Sequence, residues 1–142
     1  MSNTEIVRSY ISAWNEHDPE AVAEHFADDG VRHWRVVMNP LIGGPTRFEG
    51  HEEIAGGVKA FMDAVPDLVV DTPVLVETDD GAILEWVVRA THTGAWGGWA
   101  AQGEDVELPG VSIYRVVDGK IVEERMHFDV DMMARNWTPP QG

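Results

Sequence analysis

The segment Lys120 to Phe128, with Asp129 directly behind it, carries Arg125, His127 and Asp129 at every second position. Side chains of an extended strand alternate between faces, so these three share one side. Val122, Glu124, Met126 and Phe128 share the other. One face thus joins a permanent cation, an imidazole that changes charge near neutral pH and a carboxylate. Such groups take up and release protons, and general acid–base catalysis is typically worth about 10²–10⁴-fold in rate. A carboxyl in an apolar pocket has its pKa raised by desolvation and becomes a better base, while a nearby arginine or imidazolium acts in the opposite direction. Each residue also has a structural alternative. An Asp ahead of a terminal helix caps its first turn, a histidine hydrogen-bonds into the core, and an arginine at a rim reaches water or a carboxylate. Asp131, immediately before Met132-Met133-Ala134-Arg135, is the nearer cap.

His33 is a second polar candidate. Alternation over Val31 to Val36 puts His33 with Val31 and Arg35, and Arg32 with Trp34 on the reverse side. A pocket imidazole there would hydrogen-bond a substrate oxygen or stabilise an enolate. His92 ends a strand beside a glycine-rich loop and reads as a residue that fixes that loop, and His51 belongs to a helix start. His51-Glu52-Glu53 lacks the second histidine of HExxH, so no metal is expected. With no cysteine, thiol catalysis, Cys-based zinc sites and disulfides are excluded. The six tryptophans are the other chemical signal. Trp14 fits a helix core stripe and Trp86 a sheet. Trp34, Trp96 and Trp99 fit the wall of a pocket for a flat, apolar or polycyclic ligand, or else the filling of a core or interface.

The elements that must position these residues are legible in outline. Ser2 and Glu5 have capping-box spacing, and Ile6, Val7, Tyr10, Ile11 and Trp14 follow at helical intervals. Asp18-Pro19 starts a second helix with Ala21, Val22, His25 and Phe26 as its buried stripe. Val31 to Met38 reads as a strand, Asn39 to Gly50 as a Gly/Pro-rich loop or lid, and the stretch after Gly50 as a third helix stopped by Pro66. Strand chemistry follows from Asp67: a first strand to Val76, a turn at Asp79-Asp80-Gly81, then Ala82 to Thr93. After the loop Gly94 to Trp99 come Val111 to Val117, a tight turn at Asp118-Gly119, and Lys120 to Phe128. Met132 to Asn136 reads as a short final helix. Helices followed by a long meander predict one α+β domain with helices on one face of an antiparallel sheet.

Composition bounds the partners. The chain has 142 residues, 44% of them hydrophobic and 25% charged, which is one globular domain's worth of sequence. A formal net charge of −15 disfavours nucleic acid and anionic membranes. No apolar run approaches the roughly 20 residues of a membrane span. The N-terminus lacks the pattern of a signal peptide, so a cytoplasmic location is expected.

Six segments in order resemble the SnoaL-like polyketide cyclases of the nuclear transport factor two-like superfamily. They are VRSYISAWNEHDPEAVAEHFADD, His33 behind it, FEGHEEI, VPDL at Val65–Leu68, WVVRATHTG at Trp86–Gly94, and DGKIVEERMHFD at Asp118–Asp129. Val65 and Ala90 replace the family's usual Phe and Gly. The resemblance implies a cone of curved antiparallel sheet around a pocket. It also implies Asp129 as the acid/base deep in the cone and His33 facing the pocket. The residues themselves add His127 as a catalytic candidate beside Asp129, and Arg125, Trp34, Trp86, Trp96 and Trp99 as substrate contacts. The implied reaction is proton abstraction beside a carbonyl, with intramolecular aldol closure or isomerisation, no cofactor, and a homodimer. The superfamily also includes binding modules and epoxide hydrolases. The latter resemble an Asp-Arg-Asp arrangement, from which this chain departs because Arg89 is followed two positions later by Thr91. Fold alone does not choose among these.

Overall fold

The computed structural model describes residues 1–36, 44–96 and 99–134. Helix α1 (Asn3–Asn15) begins with the capping box: the Ser2 side chain accepts from the Glu5 amide and the Glu5 carboxylate from the Ser2 amide. It buries Ile6, Val7, Tyr10, Ile11 and Trp14. Helix α2 (Pro19–Glu24) is capped by Asp18, whose carboxylate accepts from the Ala21 amide, with Pro19 in the first turn. The helical stripe predicted to run through Phe26 ends earlier. Phe26 opens strand β1 (Phe26–Trp34) and pairs with Ile121, a case of tertiary pairing overriding a local pattern.

Strand β2 (Arg47–Glu49) pairs antiparallel with β1, placing Phe48 beside Arg32 in a stretch expected to be loop. Residues 37–43, the heart of the expected lid, lie outside the described residues. Helix α3 (Gly50–Ala64) follows, and Gly50 enters it at φ +82°, a conformation that favours glycine. His51 donates from Nε2 to the Phe26 carbonyl at 2.7 Å, so its role is to tie α3 to β1. The turn after α3 is held by Asp67, which accepts from both the amide and the hydroxyl of Thr91 at 2.7 and 2.8 Å.

Strands β3 (Val69–Thr78), β4 (Gly81–His92), β5 (Glu104–Val117) and β6 (Lys120–Phe128) complete the sheet. The order is β2-β1-β6-β5-β4-β3, and the β1–β6 pair is parallel, whereas an all-antiparallel sheet was expected. The α+β architecture predicted from the sequence is the one observed: a curved, unclosed six-stranded sheet with three helices in the N-terminal half. Strand β5 starts seven residues earlier than its predicted start at Val111. Pro109 and Gly110 conceal this half, since neither suits an internal strand. The register explains why both are tolerated. β6 ends at Phe128, opposite Gly110, so Pro109 pairs only with Val87 of β4 on one side. The Asp118-Gly119 turn has φ +51° and +78°, as a tight hairpin with right-handed strand twist requires.

Helix α4 spans Val130–Ala134, starting before its predicted Met132, and residues 135–136 lie outside the described residues. No described helix is long and apolar enough to cross a membrane.

Candidate functional site

The inward face of the sheet is set by alternation. On β1 it carries Arg32 and Trp34, which are 5% and 6% exposed; on β6 it carries Glu124 and Met126, at 3% and 7%. The parallel register sets Arg32 beside Glu124 and Trp34 beside Met126. On β5, Tyr114, Ser112 and Gly110 stand next to Glu124, Met126 and Phe128. On β4, Trp86 faces Gly110 and donates from Nε1 to the Ser112 hydroxyl at 2.9 Å. A side chain at Gly110 would collide with the Trp86 ring, so glycine is what lets this indole lie across β5. Tyr10, Ile11 and Trp14 of α1 and Phe61 of α3 close the other side. The result is a mostly apolar chamber with a cavity volume of about 50 Å³.

Its polar end is one cluster. Glu124 Oε1 accepts from the Tyr10 hydroxyl at 2.6 Å and from Arg32 Nε at 3.3 Å, and Oε2 accepts from the Tyr114 hydroxyl at 2.7 Å. The Arg32 guanidinium also lies 5.1 Å over the Trp14 ring, a cation–π contact. Burial, then the charge of Glu124, pushes both tyrosines well above the usual phenol range, so each remains a neutral donor. Burial lowers the proton affinity of Arg32, but Tyr10 and Glu124 outweigh it and hold that group above its ordinary value. A carboxylate has about four lone-pair sites. Three are taken by these donors, which leaves one on Oε2.

The residues singled out from the sequence divide between two faces. Trp34 and Trp86 line the chamber. Trp96 stacks on Trp34 with centroids 6.1 Å apart and lines an outer groove on the far side of that indole. Trp99 is buried and pairs its backbone with Trp96. Gly97 and Gly98 lie outside the described residues. Asp129, expected deep in the pocket, is instead exposed, and its Oδ1 accepts from the Met132 amide at 3.2 Å. It therefore fills the capping role expected of Asp131. His127 is exposed and faces outward opposite Val111. Arg125 is half-buried on the same outer side, paired with Glu123. His33 stands next to Arg125 and Arg47 in register, away from the chamber. Arg125 and His127 share a face as predicted, but it is the outer one, and Asp129 lies beyond the strand. His92 is wholly buried, with Nδ1 3.5 Å from Glu104 Oε2. Among the described residues no three His, Asp or Glu side chains gather as a metal site would require.

Sequence reasoning passed over Glu124, Arg32, Tyr10 and Tyr114. A two-residue period says which side chains share a face but not which face is inward. The usable signal was the company each residue keeps. Glu124 alternates with Met126 and Phe128, Arg32 with Trp34, and Tyr10 sits in the stripe between Ile6 and Trp14.

Comparisons with known proteins agree with the fold. IdmH of Streptomyces antibioticus, provisionally named a polyketide cyclase, superposes with a TM-score of 0.75 at 24% identity, covering 95% of this chain and 97% of its own. AclR of Streptomyces galilaeus, provisionally named a hydroxylase, gives 0.76 at 22% identity over 93% of this chain and 78% of its own. An NTF2-like protein of unknown function from Burkholderia pseudomallei gives 0.77 at 23% identity over 95% and 97%. No curated protein matches the chain significantly. The sequence profile of the SnoaL-like polyketide cyclases matches residues 4–136, and the chain belongs to that family.

Proposed function

We propose that the chain is an enzyme of the cyclase or isomerase type in which Glu124, not Asp129, moves a proton at a carbon beside a carbonyl. The observation that carries this reading is a buried carboxylate lining an apolar chamber, with one lone pair unclaimed by Tyr10, Tyr114 and Arg32. Oε2 takes the proton from the α carbon, and the C–H electron pair moves into the carbonyl to form an enolate. Returning the proton to another carbon isomerises the substrate; attack of the enolate carbon on a second carbonyl closes a ring. Arg32 and the two hydroxyls fix the carboxylate in one rotamer, so little reorganisation accompanies the transfer. The aromatic walls suit a ring-bearing ketone.

A binding module of the same fold is favoured by one observation: Glu124 is already well hydrogen-bonded without a ligand. An epoxide hydrolase built on Arg89 is not favoured, because Arg89 lies half-exposed and pairs with Asp71 and Glu107. Deuterium uptake from D₂O into 2-tetralone, followed by mass spectrometry, separates the enzyme from the module. The enzyme reading expects catalysed uptake that falls about 10²–10⁴-fold in Glu124→Gln. Binding of the ketone without catalysed uptake supports the module instead.

The outer sheet face suits a second copy of the chain. Val76, Ile83 and Ile113 are neighbours across β3, β4 and β5, and Val74, Val76 and Ile83 are exposed. We take a homodimer through this face as part of the same reading.

A further inference from the structure

Trp34 is 6% exposed, and its indole Nε1 has no hydrogen-bond partner. Of the other chamber tryptophans, Trp86 is satisfied by Ser112. A buried donor left unmade forfeits more than an ordinary hydrogen bond gains, so such groups call for an explanation. Trp34 is held firmly: it stacks on Trp96, and Phe48 and Phe128 pack against it at centroid distances of 6.0 and 5.4 Å. Its ring is therefore fixed between the chamber and the outer groove, with a buried, unspent N–H.

We propose that the Trp34 indole N–H is the donor that receives the substrate's carbonyl oxygen. This rests on the reading of Glu124 as the proton-transfer group. The Arg32–Glu124 rung and the Trp34–Met126 rung are two residues apart along β1 and β6. That separation is about 7 Å of strand. It suits a carbonyl oxygen at the indole with the adjacent α carbon toward Glu124. As the enolate forms, negative charge builds on that oxygen, and a preplaced N–H stabilises it. The chamber would then select ketones over hydrocarbons of the same shape, because only a ketone relieves the orphaned donor. The rival partner is the face of Phe128, whose ring stands at 77° to the indole.

The test uses 2-tetralone and tetralin, which share a shape and differ in the carbonyl. In the wild type, the Trp34 indole proton, assigned by its loss in Trp34→Phe, should move downfield with 2-tetralone and stay put with tetralin. Trp34→Phe should lower affinity for 2-tetralone about 3–10-fold more than it lowers affinity for tetralin. An indole proton held upfield over Phe128 and unmoved by the ketone overturns the assignment, as does equal loss of affinity for both compounds. If the variant does not fold, the wild-type resonance, assigned instead by its through-space contacts with the Phe48 and Phe128 rings, decides. Binding without deuterium uptake would remove the Glu124 reaction yet leave the Trp34 contact standing. Failure of both compounds to bind overturns the chamber as a ligand site and this proposal with it.

Discussion

Glu124 and Asp129 lie five residues apart, and their environments assign them different work. Glu124 is buried beside Arg32 and two phenols, whereas Asp129 is exposed and caps α4. Removing one member of a buried ion pair leaves the other uncompensated, at a cost of about 3–5 kcal/mol. Glu124→Ala should therefore destabilise the fold by about that amount in urea denaturation, and Asp129→Ala by about 1 kcal/mol through its lost cap. Equal effects would contradict the placement of the two carboxylates. The tyrosines set an alkaline limit. Their folded pKa values lie above the unfolded one near 10, so their contribution is complete below that pH and is lost as pH rises beyond it. Stability measured above about pH 10 should fall, and less steeply in Tyr114→Phe than in the parent.

At the scale of elements, the starts of α1 and α2 were legible from their caps, Ser2 with Glu5 and Asp18, whereas at α4 the nearer Asp131 concealed that Asp129 is the cap. The two tight hairpins were legible from Asp79-Asp80-Gly81 and Asp118-Gly119. The first half of β5 was not, because Pro109 and Gly110 look like breakers until β6 is seen to stop beside them. The inward face of β6 was not legible either, since polar residues occupy both of its sides and only packing against β1 and α1 decides. Gly110 shows how one strand shapes the chamber through another. Gly110→Ala should push Trp86 off its seat and its bond to Ser112, costing about 1–3 kcal/mol as an overpacked core does. A thermal melt unchanged by this substitution would mean that Trp86 has room to spare.

For the whole molecule, a charge of −15 and an exposed apolar row on the sheet pull in opposite directions. Like charges repel two copies at low salt, while Val76, Ile83 and Ile113 favour their contact. Sedimentation should show a dimer that tightens as salt rises, and Ile83→Glu should return it to monomer. A wild type that stays monomeric at high salt contradicts the dimer.

If Glu124 moves the proton, the working face of the last strand is the one that bears it. Deuterium uptake into 2-tetralone, measured side by side in Glu124→Gln and Asp129→Asn, tests it most directly. The first variant should lose about 10²–10⁴-fold and the second should keep the parent rate. Full activity in Glu124→Gln with a collapse in Asp129→Asn would contradict it.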